Sequence, residues 1–424
     1  MKKHNLFKVV IITLLVTALL SWFFNVTTYQ TSFIDQGKEE IGIFSVMTYI
    51  GIAIQYFSHV GIYVLCVGGL YGVLHNLPAY SKLVQKVKNG FKGKELIFLA
   101  IVMFIIAIST AMFGLNLAIV LVFPFVIAVV LAMGYDKITA AMVTVGAACS
   151  GMIGTMFNQT AVLGIASSVG SIDIANQNIM IKVILLVCAL VLLMANVILR
   201  IKKINNCKLE NSEYVPEKVN SKSKVWPLVV ALDLLFVILA LAFIDWTNGF
   251  GVKLFSDTFA DFSGSNNSFV SFFFNLLGLD VPFGSWTLLE ASLVVALFAF
   301  LISIVYRVKF DNFVTSFMNG CKRALKPAVL SVLVYSVLVT ATYSPVLLTL
   351  FKGMIDGATS INVFAQSVMA FVSSLFCVES YYGATTVLPA VVGVLGDIGS
   401  NGLGILSIIW QAIYGFAMLV VPTS

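Results

Sequence analysis

Long apolar runs separated by short polar ones divide this 424-residue chain into candidate membrane segments at 6–24, 58–77, 96–113, 116–133, 138–168, 179–200, 226–244, 285–306, 328–351, 362–377, 384–396 and 403–424. The longer runs match the roughly 20 apolar residues that a spanning helix needs, and the shorter ones predict arms of re-entrant hairpins. Two polar stretches interrupt this pattern: Ser150–Thr160 and Glu379–Thr386. Small and hydroxylated residues at membrane depth leave backbone amides and carbonyls that lipid cannot satisfy. Such backbone must be buried in protein or line a water-filled cavity. Interruptions at corresponding places in the two halves of a chain are the sequence mark of a transporter's binding site.

Basic clusters at Lys2/Lys3/Lys8, 82–94, 200–224 and 307–326 fall on one side of the membrane if 96–133 and 362–396 each return the chain to the side it came from. The opposite loops, 25–42 and 245–284, carry mainly acids. This asymmetry puts the N-terminus in the cytoplasm and the chain in the cytoplasmic membrane. The first apolar run is long enough to span and lacks a small-x-small cleavage site, so it reads as a retained helix. Pro124 and Pro389 lie in similar contexts 265 residues apart (389 − 124). The same lag carries 61–77 onto 326–342, the amphipathic 44–57 onto 309–322, and Asn158 onto Thr423. The expectation is an all-α polytopic protein of two inverted repeats, each with a re-entrant hairpin and a broken helix. The first repeat occupies 1–225, with hairpin 96–133 and broken helix 138–168. The second occupies 226–424, with a linker helix and hairpin 362–396. By symmetry the second repeat stops at Ser424 before its last broken helix is complete, as expected of a fragment or of a departure from the architecture.

Composition narrows the function classes. The chain is 60% hydrophobic and only 10% charged, with a mean hydropathy of +1.02, against about 25% charged in soluble domains. The net charge of +6 sits mostly in the lysine-rich loops that orient the chain, which argues against nucleic-acid binding. The six cysteines are scattered with no Cys-x-x-Cys and read as packing residues. His4, His59 and His75 are far apart; the last two read as interfacial residues at the ends of one span. No phosphate-cradling loop, zinc motif or nucleophile elbow is present, so the chain reads as a non-enzyme without a cofactor.

The chemistry falls on the interruptions. In the first, Ser150, Gly151, Gly154 and Thr155 allow unwinding and close approach, while Asn158, Gln159 and Thr160 add side-chain donors and acceptors. Unwound carbonyls with such side chains suit Na⁺, here Ser150, Gly154, Asn158 and Thr423, and half-helix N-termini suit a carboxylate. The bland alternative is a small-residue packing face. The first hairpin tip falls at 109–116, ending in Asn116. The second, 379–386, supplies Glu379, Ser380, Gly383, Thr385 and Thr386, and the chain end supplies Thr423 and Ser424. Glu379, an acid between apolar runs, is a functional candidate by default. It could bind a cation, carry a proton or pair with a cationic substrate group; otherwise it is a solvated tip residue. Asp233 and Glu290 lie near the ends of their spans and read as interfacial. No lysine or arginine falls in an expected binding region. An anionic substrate would then be held by helix dipoles, hydroxyls and amides.

Residues 68–74 (Gly-Gly-Leu-Tyr-Gly-Val-Leu), 131–136 (Leu-Ala-Met-Gly-Tyr-Asp), 154–158 (Gly-Thr-Met-Phe-Asn) and 421–424 (Val-Pro-Thr-Ser) resemble, in order, the anaerobic C4-dicarboxylate carrier family of the ion transporter superfamily. The resemblance runs from about residue 40 to the chain end. It implies inverted repeats, an elevator-like mechanism, a carboxylate substrate with Na⁺ or H⁺ as coupling ion, and a family in which dimers are common. Two places depart from the family pattern: the second tip reads Glu379-Ser380-Tyr381-Tyr382-Gly383, and Gln159 stands where a proline usually follows Asn158. Both fall at the expected site, so the resemblance leaves the substrate open. The reading is a secondary transporter of a small carboxylate, a C4-dicarboxylate or an amino acid, embedded in the lipid bilayer. The alternatives are a cation/proton antiporter without organic substrate and a non-transporting, transporter-like membrane protein; an integral membrane enzyme is third.

Overall fold

Apolar runs at membrane depth fold as helices because lipid offers their amides and carbonyls no partner. The computed structural model describes residues 5–115, 117–156, 164–169, 177–203, 223–264, 272, 281–377 and 379–421. Helix α1 (Asn5–Phe23) leads into a small antiparallel hairpin of β1 (Thr27–Tyr29) and β2 (Phe33–Asp35), with Thr28 opposite Ile34. Then follow α2 (Ile43–His75), α3 (Pro78–Gly90), α4 (Glu95–Phe113), a 3₁₀ turn (Ala118–Leu121), α5 (Phe123–Ala132), α6 (Lys137–Ile153), α7 (Gly164–Ser168) and α8 (Ile179–Lys203). The second half holds α9 (Trp226–Phe243), α10 (Trp246–Phe250), α11 (Leu254–Ser263), α12 (Leu288–Val305), α13 (Phe310–Tyr343), α14 (Val346–Ile355), α15 (Val363–Ser374), α16 (Ser380–Leu395) and α17 (Gly399–Val420). Eight of the described helices are long and apolar enough to cross a membrane, so the protein is an all-α, multi-pass membrane protein.

The centre of the fold is the crossing of α2 and α13. Neither element matches the sequence reading, which separated an amphipathic stretch from a span in each case. In the structure 44–57 and 58–77 form one helix of 33 residues, and 309–322 joins the following span in one of 34. Part of each amphipathic start faces the other long helix, Tyr49 on Tyr343 and Phe317 against Gly69, while Ile43, Phe44, Met47 and Phe310 stay exposed. A consequence is that His59 sits at the centre of α2, not at the end of a span. The helix α13 stops at Ser344-Pro345, short of the expected residue 351, because proline cannot donate the next backbone bond.

Glycine lets these two helices touch backbone to backbone. A methyl group placed on Gly68 would lie 2.4 Å from the Ala324 side chain, one on Gly72 2.4 Å from the Ser316 carbonyl, and one on Gly320 2.2 Å from the Gly68 carbonyl. Gly61 faces Ala328 and Val332 in the same way. Residue numbers rise along α2 as they fall along α13, so the pair is antiparallel. Stacked rings extend the register, Phe57 on Tyr335 at 4.1 Å and Tyr49 on Tyr343 at 5.0 Å. Helices α12 and α1 pack around this pair.

The element order recurs at the lag seen in the sequence. Adding 265 carries α2 onto 308–340, α3 onto 343–355, α4 onto 360–378 and α6 onto 402–418, beside α13, α14, α15 and α17. The hairpins differ in their second arms: residues 118–121 form a 3₁₀ turn ahead of α5, whereas α16 is a single helix with Pro389 inside it.

Close glycine contact makes a direct prediction. Gly68→Leu or Gly320→Leu should lower the stability of the detergent-solubilised protein by at least about 3 kcal/mol or abolish folding. Gly353→Ala, where nothing lies within 4 Å of the added methyl, should stay within about 0.5 kcal/mol. Thermal melting followed by size exclusion reads both, and equal effects would discard the close-contact account.

Candidate functional site

The first hairpin turns at Gly114, whose left-handed backbone (φ 64°) lets its amide return to the Ser109 carbonyl; the Leu115 amide does the same at 3.2 Å. The 3₁₀ turn that follows is fastened to α2. Tyr63 donates its hydroxyl proton to the Ala118 carbonyl and Tyr71 to the Leu121 carbonyl, both at 2.8 Å. Asn116 lies outside the described residues.

The first interruption ends α6, which contains a π-helical turn at Met142–Gly146, a distortion common near functional sites. Ser150 donates to the Gly146 carbonyl at 2.9 Å, and Thr155 to the Met152 carbonyl at 2.8 Å. Gly151 lies against α4, where a methyl would sit 2.5 Å from the Ala107 carbonyl, and Gly154 lies against the backbone of Leu186 in α8. The Met156 amide leaves the helix and donates to Ala111 of α4 at 2.8 Å. On another side Gly415 of α17 packs on Met152 and Ile153. The small residues therefore serve as a packing face as well as an interruption. The hydroxyl protons of Ser150 and Thr155 are engaged within α6, which leaves their oxygen lone pairs to accept or coordinate. Asn158, Gln159 and Thr160, and at the chain end Thr423 and Ser424, lie outside the described residues. The Na⁺ set is thus described only at Ser150 and Gly154. No cluster of three His, Cys, Asp or Glu suited to a metal ion occurs among the described residues.

The second tip is shorter than the sequence reading. It covers 375–379, and residues 380–386 form the first turns of α16. Thr385 and Thr386 both donate to the Tyr382 carbonyl at 3.0 Å, which explains how hydroxyl residues continue the helix. Ser380 is its first residue, and Gly383 lies against Tyr414 and Ser373. Glu379 precedes the helix. Its Oε1 accepts a hydrogen bond from the Tyr335 hydroxyl at 2.7 Å. Tyr335 stacks on Phe57, and His59 lies within electrostatic reach of the carboxylate.

Helix α17 joins the two clusters. Tyr414 donates to the Cys377 carbonyl of the second tip at 3.2 Å, while its neighbour Gly415 touches the end of α6. Gly164 of α7 packs on Tyr381 of α16, a second link between the halves. Ser150, Gly151, Gly154 and Thr155 thus share one region with Glu379 and Gly383. Sequence reasoning missed Tyr335 and Tyr414, whose rings read as ordinary core, and misplaced Asp233. That residue lies in the middle third of α9 and on its exposed face, while Glu290 caps α12 together with Thr287.

A model of the C4-dicarboxylate anaerobic carrier family matches residues 4–385. The chain belongs to that family. The match covers the first hairpin, α6, the α2–α13 pair and the second hairpin as far as the start of α16. No curated protein matches this carrier. The YdaH transporter of Alcanivorax borkumensis, a crystal structure described as having an unusual topology, is similar at a TM-score of 0.41 and 13% identity over 99% of this chain and 87% of that one. A likeness that remote carries neither fold nor substrate across.

At the other end of α6, Asp136 caps the helix through the Thr139 amide at 3.0 Å and accepts an ion-paired hydrogen bond from Arg200 of α8. Burial alone would raise this carboxyl; the hydrogen bonds from Arg200 and Thr139 outweigh it and hold the group at about 2, below the ordinary 3.8. A depressed carboxyl contributes stability that is present above its unfolded pKa and lost as pH falls through the folded one. Asp136→Asn should therefore lower the melting temperature of the carrier by several degrees at neutral pH, from a loss of roughly 1–3 kcal/mol. The gap to wild type should narrow below pH 4 and close towards pH 2 in a melting series; a gap independent of pH would refute the ion-pair account.

Proposed function

We propose that this carrier is a secondary transporter of a C4-dicarboxylate across the cytoplasmic membrane, with its N-terminus in the cytoplasm, and that a proton carried by Glu379 couples the movement. The observation that carries the reading is the position of Glu379: an acid at a re-entrant tip, bonded to Tyr335 of α13 and joined through α17 to the interruption at the end of α6. An ionisable group inside a membrane bundle is costly and marks ion or substrate pathways. Protonation of Glu379 would change its bond to Tyr335 from an ionic to a neutral one and so weaken the hold of the tip on α13. The titratable groups around it are Tyr335, Tyr382, Tyr414, Cys377 and His59.

The two halves act as inverted repeats in this reading. Support comes from the recurrence of elements at a lag of 265 and from the antiparallel run of the equivalent helices α2 and α13. The hairpins, α6 and α17 move together against α1, α2, α12 and α13, an elevator-type displacement. The family implies a carboxylate cargo, and the dicarboxylate is preferred over an amino acid because the matched family is named for it.

Uptake of radiolabelled succinate into proteoliposomes tests this. A proton gradient should stimulate uptake in wild type. Glu379→Gln should lose that stimulation while keeping exchange, and Tyr335→Phe should reduce the rate by roughly tenfold, the effect of one charge-assisted hydrogen bond. Stimulation by Na⁺ alone would remove Glu379 as proton carrier and favour the oxygens around Ser150. Proton flux with no organic cargo would replace the reading with a cation/proton antiporter.

A further inference from the structure

The seam between α2 and α13 presents a surface without side chains, and a cavity of about 250 Å³ opens above it. Gly68 and Gly72 of α2 and Gly320 of α13 form its floor, and the first hairpin closes it through Val120, Phe123 and Ile127. The cavity therefore lies between the paired long helices and the hairpin. Neither Glu379 nor the small residues at the end of α6 line it, so it is separate from the site described above.

Its two ends differ chemically. Val64, Val120 and Pro327 line one end, and His75, Tyr80 and Arg323 line the other. Val64 and His75 stand 75 − 64 = 11 residues apart on α2, a rise of about 16 Å. That is the depth of one leaflet, half of a hydrocarbon core about 30 Å thick. Gly72 faces Ser316 and Gly61 faces Ala328, so Arg323 stands nearer the His75 end than Pro327 does. Arg323 is exposed, and Lys322 and Lys326 are exposed on the adjoining stripe of α13. The one acid of α13, Asp311, precedes Arg323 by about 18 Å along the axis. No acid is among the described residues that line the cavity. The mouth is basic and the interior apolar. In the transport reading this mouth opens at the cytoplasmic leaflet, whose anionic lipids attract clustered lysine and arginine.

We propose that this cavity holds one acyl chain of an anionic phospholipid, with the headgroup phosphate against Arg323. The inference rests on the transport reading for the side of the membrane and goes beyond it in naming a lipid as a structural ligand. A soluble dianion has no apolar part to fill the inner end, and a lipid without net charge does not answer the basic mouth. A chain seated there packs on the glycine seam on one side and on the first hairpin on the other. It fastens the hairpin to α2 at the place where the Tyr63 and Tyr71 hydroxyls already hold it.

The experiment titrates the full chain, in a neutral detergent, with phosphatidylglycerol or phosphatidylcholine. Bound lipid is counted by native mass spectrometry and its effect read as a shift in melting temperature. Wild type should hold phosphatidylglycerol more tightly and gain more stability from it. Arg323→Gln should cut that preference roughly fivefold, the effect of one juxtamembrane cation, with its lipid-free melting temperature unchanged. Arg323→Lys should keep the preference. Ile127→Trp, which fills the cavity beside α5, should lose the tightly held lipid; if it fails to fold, the Arg323 variants decide. Equal binding of the two lipids by wild type, or an unchanged preference in folded Arg323→Gln, would overturn the inference. A preference that survives in folded Ile127→Trp would do the same. So would an Arg323-dependent shift of equal size with glycerol 3-phosphate or succinate, which would make this a site for soluble anions. Succinate uptake into proteoliposomes separates the two readings. Wild type that transports without selecting phosphatidylglycerol loses this inference alone, and wild type that selects it without transporting loses the transport reading alone.

Discussion

Inside a bilayer every backbone amide and carbonyl must find its partner within the protein or in a water-filled cavity, and three irregular segments among the described residues answer that requirement. At the first tip the Gly114 and Leu115 amides fold back onto Ser109. At the end of α6 the Met156 amide crosses to Ala111. At the second tip the Phe376 and Cys377 amides return to Ser373, and the Cys377 carbonyl takes the Tyr414 hydroxyl. None of these solutions is available to an isolated segment; each needs a neighbour at a fixed place. That is why the hairpins occur only where long helices already stand beside them.

The long helices are α2 and α13, and their glycine seam sets where everything else can sit. Tyr63 and Tyr71 reach from α2 to the first hairpin, and Tyr335 reaches from α13 to the second. Both halves thus use a tyrosine hydroxyl as the outer fastener of a hairpin. The β-hairpin is fastened to the second half: Thr349 of α14 bonds to Thr27 at 2.9 Å, and Tyr29 fills the space beside Gly393 of α16.

Much of this was legible in the sequence, and the failures have specific causes. The hairpins and the interruption of α6 showed because polar residues inside apolar runs have few physical explanations. The lag of 265 was visible because proline marks a position strongly, and α2, α3, α4 and α6 carried by that lag fall beside α13, α14, α15 and α17. The full lengths of α2 and α13 did not: an amphipathic stretch looks the same whether its apolar face meets a membrane surface or a partner helix. The helical state of Thr385 and Thr386 was hidden because a hydroxyl can satisfy an unwound strand or its own helix equally well. The burial of Lys182, 2% exposed in the first turn of α8, was hidden by its position near a span end, where sequence cannot distinguish a lysine reaching outward from one turned into the bundle. Of the site residues, Asn116, Asn158, Gln159, Thr160, Thr423 and Ser424 lie outside the described segments, so the sequence remains the ground for them.

The tyrosine fasteners and the glycine seam differ sharply in mechanical character. Two of these are hydroxyl-to-carbonyl bonds at about 1 kcal/mol net each and the third goes to the Glu379 carboxylate at about 2 kcal/mol, so together they bias the resting arrangement by about 4 kcal/mol, roughly 1,000-fold in population. That is enough to define a resting state and far too little to trap it. The glycine seam is the opposite. Backbone atoms interlock there so closely that any slide along the helix axis drives a carbonyl into the facing backbone. In the elevator-type movement proposed above, the plane to part would run between the tyrosine rings and the hairpins, with α2 and α13 kept as one strut by the glycine seam.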